Sequence, residues 1–324
     1  PRYIFYWENN IPEWVFVKTM KVKSSSFNNT YSGTDNFIQY SEVTEITNGN
    51  GYTNYLFTDY VSNPDENDYN TAKLHPTHFE YISNIHLLNS YVGIYFNDKY
   101  FERGVVKRTR QYKFNGGTSY SLVKEIKTNS FTGKSDFPDL YVAAAHLTGS
   151  VVQSYKKYYY PFLPKQVEET TYGTSGSPVV VINDYQYNSN GYLIKQTTTD
   201  SKGKIKKSLF SYPADYPAGT AFIDDMTSEN ILSPPIEKVA YIEEGGVPKI
   251  VSGQVFKYHA GGRGELGEVL GLETGSTIPL GSFKFSNRSL GVLPPAGTSS
   301  GFSPDSKYQP QIKINNYDPS GNVL

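Results

Sequence analysis

YGTSGSPVVVINDYQYNSNGYLIKQTTTDSKGKIK, residues 172–206, decides how the chain is read. One small pattern returns within it: an aromatic residue or Thr, three polar or small residues, a Gly, then a short aliphatic or β-branched run. Tyr172 leads to Gly176, Tyr187 to Gly191, and Thr199 to Gly203. The pattern recurs from Tyr317 to Gly321 in YDPSGNVL, residues 317–324. Asn188 and Asp318 follow the tyrosine, where a short amide or carboxylate can accept from backbone N–H groups two residues on. Gly191, Gly203 and Gly321 stand where a short hairpin loop needs positive φ, which costs glycine nothing. The flanks carry Val179, Val181, Tyr185, Tyr192, Leu193 and Ile194, residue types that strands prefer. Gly176, Gly191 and Gly203 are 15 and 12 residues apart, about one strand plus one turn each. Such spacing predicts an antiparallel meander.

The rest of the chain agrees with that texture. Residues 37–60 predict a hairpin about Asn48-Gly49-Asn50-Gly51, and residues 101–135 a second about Asn115-Gly116-Gly117. Trp7 and Trp14 lie in an aromatic-rich opening that leads into a strand over residues 15–23. A hairpin about residues 243–246 follows a single helix, Ala221–Asn230, entered at Thr220 with Asp224 in its first turn. Residues 212–310, rich in Gly, Pro and Ser, predict a looser region with short strands at 278–285 and 290–293. No composition shift marks a linker, so residues 1–324 are read as one β-rich region.

Composition narrows the functional classes. In 324 residues there are 29 Tyr and 18 Phe, which suit broad sheets with one wet face, since Tyr keeps a polar tip. The net charge of −1 makes no electrostatic case for nucleic acid or an anionic membrane. The absence of Cys excludes disulfides, thiol chemistry and thiolate zinc sites. No apolar run is long enough for a transmembrane helix. Pro1 is not a translation start, and the expectation is an excised piece of a longer protein whose targeting signal lies outside it.

Several strings suggest chemistry. GTSGSPVV, residues 173–180, resembles the nucleophile motif of chymotrypsin-like proteases, with Ser175 as nucleophile, and Ala143-Ala144-Ala145-His146 resembles their base motif. Only 29 residues separate His146 from Ser175, too few for that family, and Ser175 falls within the repeat register. Gly262-x-Gly264-x-x-Gly267 matches a dinucleotide fingerprint as a string, yet no strand–helix pattern surrounds it. Asp65, Glu66, Asn67 and Asp68 could offer oxygens to Ca²⁺, but also read as an acidic surface loop. His75, His78, His86, His146 and His259 form no zinc pattern. No catalytic residue, metal or cofactor is expected, and the hairpin turns are the residues singled out.

The recurring turn resembles the tyrosine–aspartate (YD) repeats of RHS (rearrangement hotspot) proteins, those of Bacteroidetes in particular. Residues 40–60, 102–112, 185–217 and 229–238 resemble that group too. Tyr317–Leu324 has the full form, whereas Thr199 replaces Tyr in one copy and Gly173 replaces the acid in another. The resemblance implies an all-β chain: an extended antiparallel meander, with at most one or two short helices, curled into part of a hollow RHS shell. It implies a non-enzymatic structural segment of a secreted or cell-surface bacterial protein of the polymorphic-toxin kind. Its partners would be the rest of its own chain, an enclosed C-terminal effector or toxin domain, and a bacterial secretion machinery. The alternatives are an extracellular carbohydrate- or protein-binding β module using exposed Tyr and Trp, and, behind it, a hydrolase.

Overall fold

The computed structural model describes residues 2–8, 11–17, 40–47, 49–67, 72–74, 96–97, 99–148, 151–174, 176–244, 246–261, 263–286, 302–318 and 320–324. The chain divides into two compact units.

The first unit comprises Pro1–Val43, Tyr55–Val106 and Val142–Tyr158. In it β1 (Arg2–Glu8) and β2 (Ile11–Val17) form a tight hairpin, with Phe5 opposite Trp14 and Trp7 opposite Pro12. A small sheet has the order β10 (Tyr141–Thr148), β11 (Val151–Tyr158), β6 (Ala72–Leu74). Strands β5 (Glu66–Asn67) and β7 (Phe96–Asn97) pair briefly. Beside them Arg103 is buried: it forms an ion pair with Asp65, donates Nε to the Asn63 carbonyl at 2.8 Å, and lies 4.7 Å from the Tyr60 ring centroid.

The second unit comprises Thr44–Asn54, Lys107–Tyr141 and Tyr159–Leu324. The main sheet begins at β3 (Glu42–Thr47) and β4 (Gly51–Phe57), then runs through β8 (Val106–Gly116), β9 (Ser119–Phe131), β12 (Pro164–Thr171), β13 (Val179–Tyr187), β14 (Leu193–Thr199), β15 (Ile205–Ser211), β16 (Glu237–Glu244), β17 (Val247–Tyr258), β18 (Leu266–Leu272) and β20 (Tyr308–Lys313). Strand β19 (Ile278–Pro279) adds to β17 as a thirteenth member. From β8 onward the pairings among the described residues are antiparallel.

The expected meander is present, with one short helix among the described residues, but the expected curling is not. The sheet is extended and its strand order has two ends, β3 and β20, each with one neighbour. Among the described residues no strand pairing brings one end to the other, so the sheet is neither closed nor curled into a shell. The physical reason for the mistaken expectation is that alternation and turn spacing specify which strands are neighbours. Whether a sheet curls depends on accumulated twist and bulges, which no periodicity records.

The core is confined to one stretch of this sheet. Leu209, Val239, Tyr241, Ile250, Val255 and Leu270 on β15–β18 bury one face beneath Ile278, Phe283, Phe285 and Tyr308. A second cluster joins Tyr216, Ile236 and the helix α1 (Ala221–Ser228), which contributes Ile223 and Met226. The helix starts where its sequence predicted, but Thr220 is not a side-chain cap. Its Oγ1 instead accepts from the Phe302 N–H at 3.0 Å, while Asp224 accepts from Gly219 N–H ahead of the first turn. The Gly- and Pro-rich part read as loose is therefore the cover of the core. It holds less strand than expected: β19 is two residues long and passes into a 3-10 turn at Leu280–Ser282, while residues 290–293 lie outside the described residues.

Candidate functional site

Three turns in the second unit share one hydrogen-bond pattern. In the first, Asn188 Oδ1 accepts from the N–H groups of Asn190 at 3.0 Å and Tyr192 at 2.9 Å, Asn188 N–H donates to Tyr192 O, and Gly191 N–H donates to Asn188 O. In the second, Asp200 Oδ1 accepts from Lys202 at 2.9 Å and Lys204 at 2.8 Å, with the same two backbone bonds, Asp200 to Lys204 and Gly203 to Asp200. In the third, Asp318 Oδ1 accepts from Ser320 at 2.9 Å and Asn322 at 2.8 Å, with the backbone bonds Asp318 to Asn322 and Gly321 to Asp318. Gly191, Gly203 and Gly321 have φ of 81°, 74° and 85°, the left-handed region that L side chains adopt with strain. The Asn322 side chain also donates to Asp318, and with the backbone amides it holds the Asp318 carboxyl below its ordinary range.

Residues 172–178 are built differently. They join β12 to β13, Gly176 has φ of 97°, and Tyr172 N–H donates to Val123 O at 2.9 Å across to β9. Gly173 has no side chain to accept from the loop. Ser175 lies outside the described residues, as does the side chain of His146, whose backbone belongs to β10.

The tyrosines reveal an order that the turn spacing alone does not. Tyr187, the last residue of β13, donates its hydroxyl to the carbonyl of Pro164, the first residue of β12, at 2.8 Å. Tyr212, just after β15, donates to Leu193, the first residue of β14, at 2.9 Å. Tyr258, the last residue of β17, donates to Pro235, just before β16, at 2.9 Å. Tyr317, beyond the end of β20, donates to Leu266, the first residue of β18, at 2.8 Å. Each hydroxyl ties the end of one strand to the start of its antiparallel neighbour. The repeating unit is thus a hairpin of two strands, closed at one margin of the sheet by a tyrosine clasp. Burial pushes the Tyr187, Tyr212 and Tyr258 hydroxyls up from 10.0 to about 12, with smaller contributions at Tyr187 from Tyr185 and at Tyr212 from Asp215 and Tyr192.

This arrangement explains the irregularities of the motif. The Asn188 and Asp318 turns follow a clasp tyrosine, at the clasped margin. The Asp200 turn links β14 to β15 at the opposite margin, where no clasp forms, and Thr199 serves there as well as Tyr. The Tyr172 loop is at that margin too. Tyr212 and Tyr258 are clasp residues without the Asx-Gly turn. After Tyr212 a 3-10 turn at Pro213–Asp215 follows, with Asp215 accepting from Tyr212 N–H at 2.8 Å. After Tyr258, His259 N–H donates to Glu265 O at 2.9 Å. The strand-end position of Tyr212 and Tyr258 was readable in the sequence, but only by abandoning the glycine as the marker.

One buried polar cluster had no sequence signal at all. Glu237 is 2% exposed. Its Oε2 accepts from Ser286 N–H at 3.0 Å and Ser286 Oγ–H at 2.7 Å, and its Oε1 accepts from Tyr308 Oη–H at 2.9 Å. Tyr216 Oη lies 2.8 Å from Ser211 Oγ and 2.7 Å from Ser286 Oγ. The cluster fastens the covering segment and β20 to β16 and β15. Desolvation and the neighbouring Glu237 push the Tyr308 hydroxyl strongly up.

Among the described residues the remaining chemical candidates do not assemble. Gly267 lies within β18, so the glycine string leads into a strand and offers no helix N-terminus to a phosphate. Asp65 is engaged by Arg103 and by Lys99 N–H at 3.0 Å; Asp68, His75, His78 and His86 lie outside the described residues. His259 Nε2 lies 3.0 Å from Ile314 O, beside the Tyr317 ring. Among the described residues no three His, Cys, Asp or Glu come together to hold a metal, and no helix is long and apolar enough to cross a membrane. Comparisons with protein-family models, curated proteins and solved structures find no match.

Proposed function

We propose that this chain is a structural, non-enzymatic sheet-building segment of an exported bacterial repeat protein of the RHS type, working as an open sheet. The observation that carries this reading is the tyrosine clasp. Four successive strand pairs close the same margin with the same hydroxyl-to-carbonyl bond, which is what a unit made for serial addition requires. The second support is the turn of Tyr317–Leu324. Tyr317 bridges to Val323 and Leu324 N–H donates to Asn316 O at 3.1 Å, so this turn already starts a further antiparallel pairing. The natural partners of such a segment are further hairpins of its own kind, and its role is mechanical.

The test is to append a copy of residues 193–212 after Asn322, in place of Val323 and Leu324. The copy's leucine then supplies the carbonyl and its terminal tyrosine the clasp. The expected result is slow hydrogen exchange in the appended strands and a cooperative rise in melting temperature. Appended strands that exchange as fast as an unfolded peptide would count against the reading.

A further inference from the structure

One face of β15–β18 is the covered core; the opposite face carries a groove that runs across the strands, with a volume of about 390 Å³. Its floor is made of small residues in register: Ser208 lies opposite Ala240, and Ala240 opposite Ser252. Gln254 lies opposite Gly271. At Gly271 a Cβ would come within 2.0 Å of the Gln311 Nε2, so the Gln311 side chain can lie across the groove only because residue 271 has none of its own. Lys206 stands two residues before Ser208 on β15, and Lys238 two residues before Ala240 on the antiparallel β16. The two ammonium groups therefore occupy opposite banks. Among the described residues no carboxylate lines the groove, and the Lys238 ammonium lies 5.5 Å from the centroid of the Phe210 ring beside it. Neither lysine is within ion-pair distance of an acid among the described residues, whereas Lys207, on the other face, is paired with Glu243.

We infer that this groove is a docking site for an extended acidic peptide segment of a partner protein. It crosses five strands at ~4.8 Å spacing, about 19 Å, which accommodates roughly six residues of extended chain. Successive side chains of an extended chain point to opposite sides. Neighbouring carboxylates thus reach Lys206 on one bank and Lys238 on the other. Gln254 and Gln311 each offer an amide that donates and accepts at once, matching a peptide group, and Ser208 and Ser252 add hydroxyls. The shallow floor of small residues has no apolar pocket for a large side chain. Charge complementarity and backbone recognition are what this surface supplies. The inference is independent of the scaffold reading, since it concerns one face of the sheet and not its propagation.

The probe is a fluorescently labelled oligoglutamate peptide, titrated against the whole chain by polarisation. Oligoglutamine is the uncharged control, and polygalacturonate carries carboxylates on a sugar backbone. The expected result is binding of oligoglutamate that weakens at least about tenfold in the Lys206→Gln/Lys238→Gln double variant and in the groove-filling Ser252→Tyr, with melting temperatures unchanged. Oligoglutamine is expected to bind at least about tenfold more weakly than oligoglutamate. Absence of oligoglutamate binding, unchanged binding in both variants, or polygalacturonate binding as tight as the peptide would each overturn the inference; the last would reassign the groove to an acidic glycan.

Discussion

Two stretches of the same sheet are held together in different ways. Strands β15–β18 bury one face under α1 and the segments around residues 278–286 and 302–308. Among the described residues, strands β8, β9 and β12–β14 have no such cover, and Thr170 is their only buried residue. The uncovered stretch relies on polar ladders. Asn129 donates to Gln166 at 2.9 Å and Gln166 to Asp184 at 2.8 Å, across β9, β12 and β13. Arg110 donates to Glu125 at 2.6 Å, and Thr198 to Asn183 at 2.7 Å. Cross-strand pairs of this kind contribute a few tenths to about 1 kcal/mol each, whereas burying one large aliphatic side chain contributes about 1.5–3 kcal/mol. The same backbone pattern thus accepts two economies of stabilisation. What the two stretches have in common is the turn and clasp chemistry at their margins.

The sharpest way to break the comparison is truncation on each side of it. Ile236→Ala, at a side chain 0% exposed, is expected to cost about 2–5 kcal/mol, measured by denaturant unfolding. Val167→Ala on β12 is expected to cost about 1 kcal/mol or less. Similar costs at the two sites would show that the uncovered strands have a core of their own. Glu237→Ala should come next, at about 3 kcal/mol, because it strands the buried Tyr308 and Ser286 donors. Glu237→Gln, which keeps an acceptor at the same place, should recover part of that loss. Equal losses in the two variants would assign the effect to the charge alone.

The clasps give a test that spans both stretches. Tyr187, Tyr212 and Tyr258 have folded-state pKa values raised from 10.0 to about 12. Above pH 10 the unfolded chain ionises these phenols first, so unfolding becomes favoured. Their contribution is complete below pH 10 and is lost as pH rises towards about 12. A thermal-melting series against pH should fall in that window, and a triple Tyr→Phe variant should fall less steeply. Individually, Tyr258→Phe and Tyr187→Phe should each cost about 1 kcal/mol for the carbonyl left without its donor. A smaller effect is expected at Gly203→Ala, about 1 kcal/mol or less, from positive φ in open space. Gly191→Ala should exceed it, since its Cβ would meet the Pro161 Cγ at 2.5 Å. The smallest effect is expected from Lys124→Ala, which removes the exposed ion pair to Glu169 and should change stability by about 0.5 kcal/mol or less.

Much of the local structure was legible from residue types. The Asn-Gly hairpin of β3 and β4, the helix start at Ala221, the Glu-Glu-Gly-Gly turn between β16 and β17, and the meander itself follow from alternation, turn residues and propensity. Asp200 was legible too, one position after Thr199, yet a search keyed on tyrosine passes over it. The clasp was not legible. It joins residues 19 to 51 positions apart, and a hydroxyl-to-carbonyl bond leaves no mark on either residue's neighbours. Nor was the cover of the core: a stretch dense in Gly, Pro and Ser looks loose, although Phe283, Phe285, Phe302 and Tyr308 within it carry ample apolar area.

By itself the sequence determined where the chain turns and which strands are consecutive, because those depend on contacts within a dozen or so residues. Only the tertiary structure decided that the sheet stays open, that one stretch is covered and another is not among the described residues, and that the strand pairs from β12 to β20 each close with a tyrosine clasp. Those outcomes depend on twist summed over many strands and on side chains meeting across distant segments, and neither has a local signature.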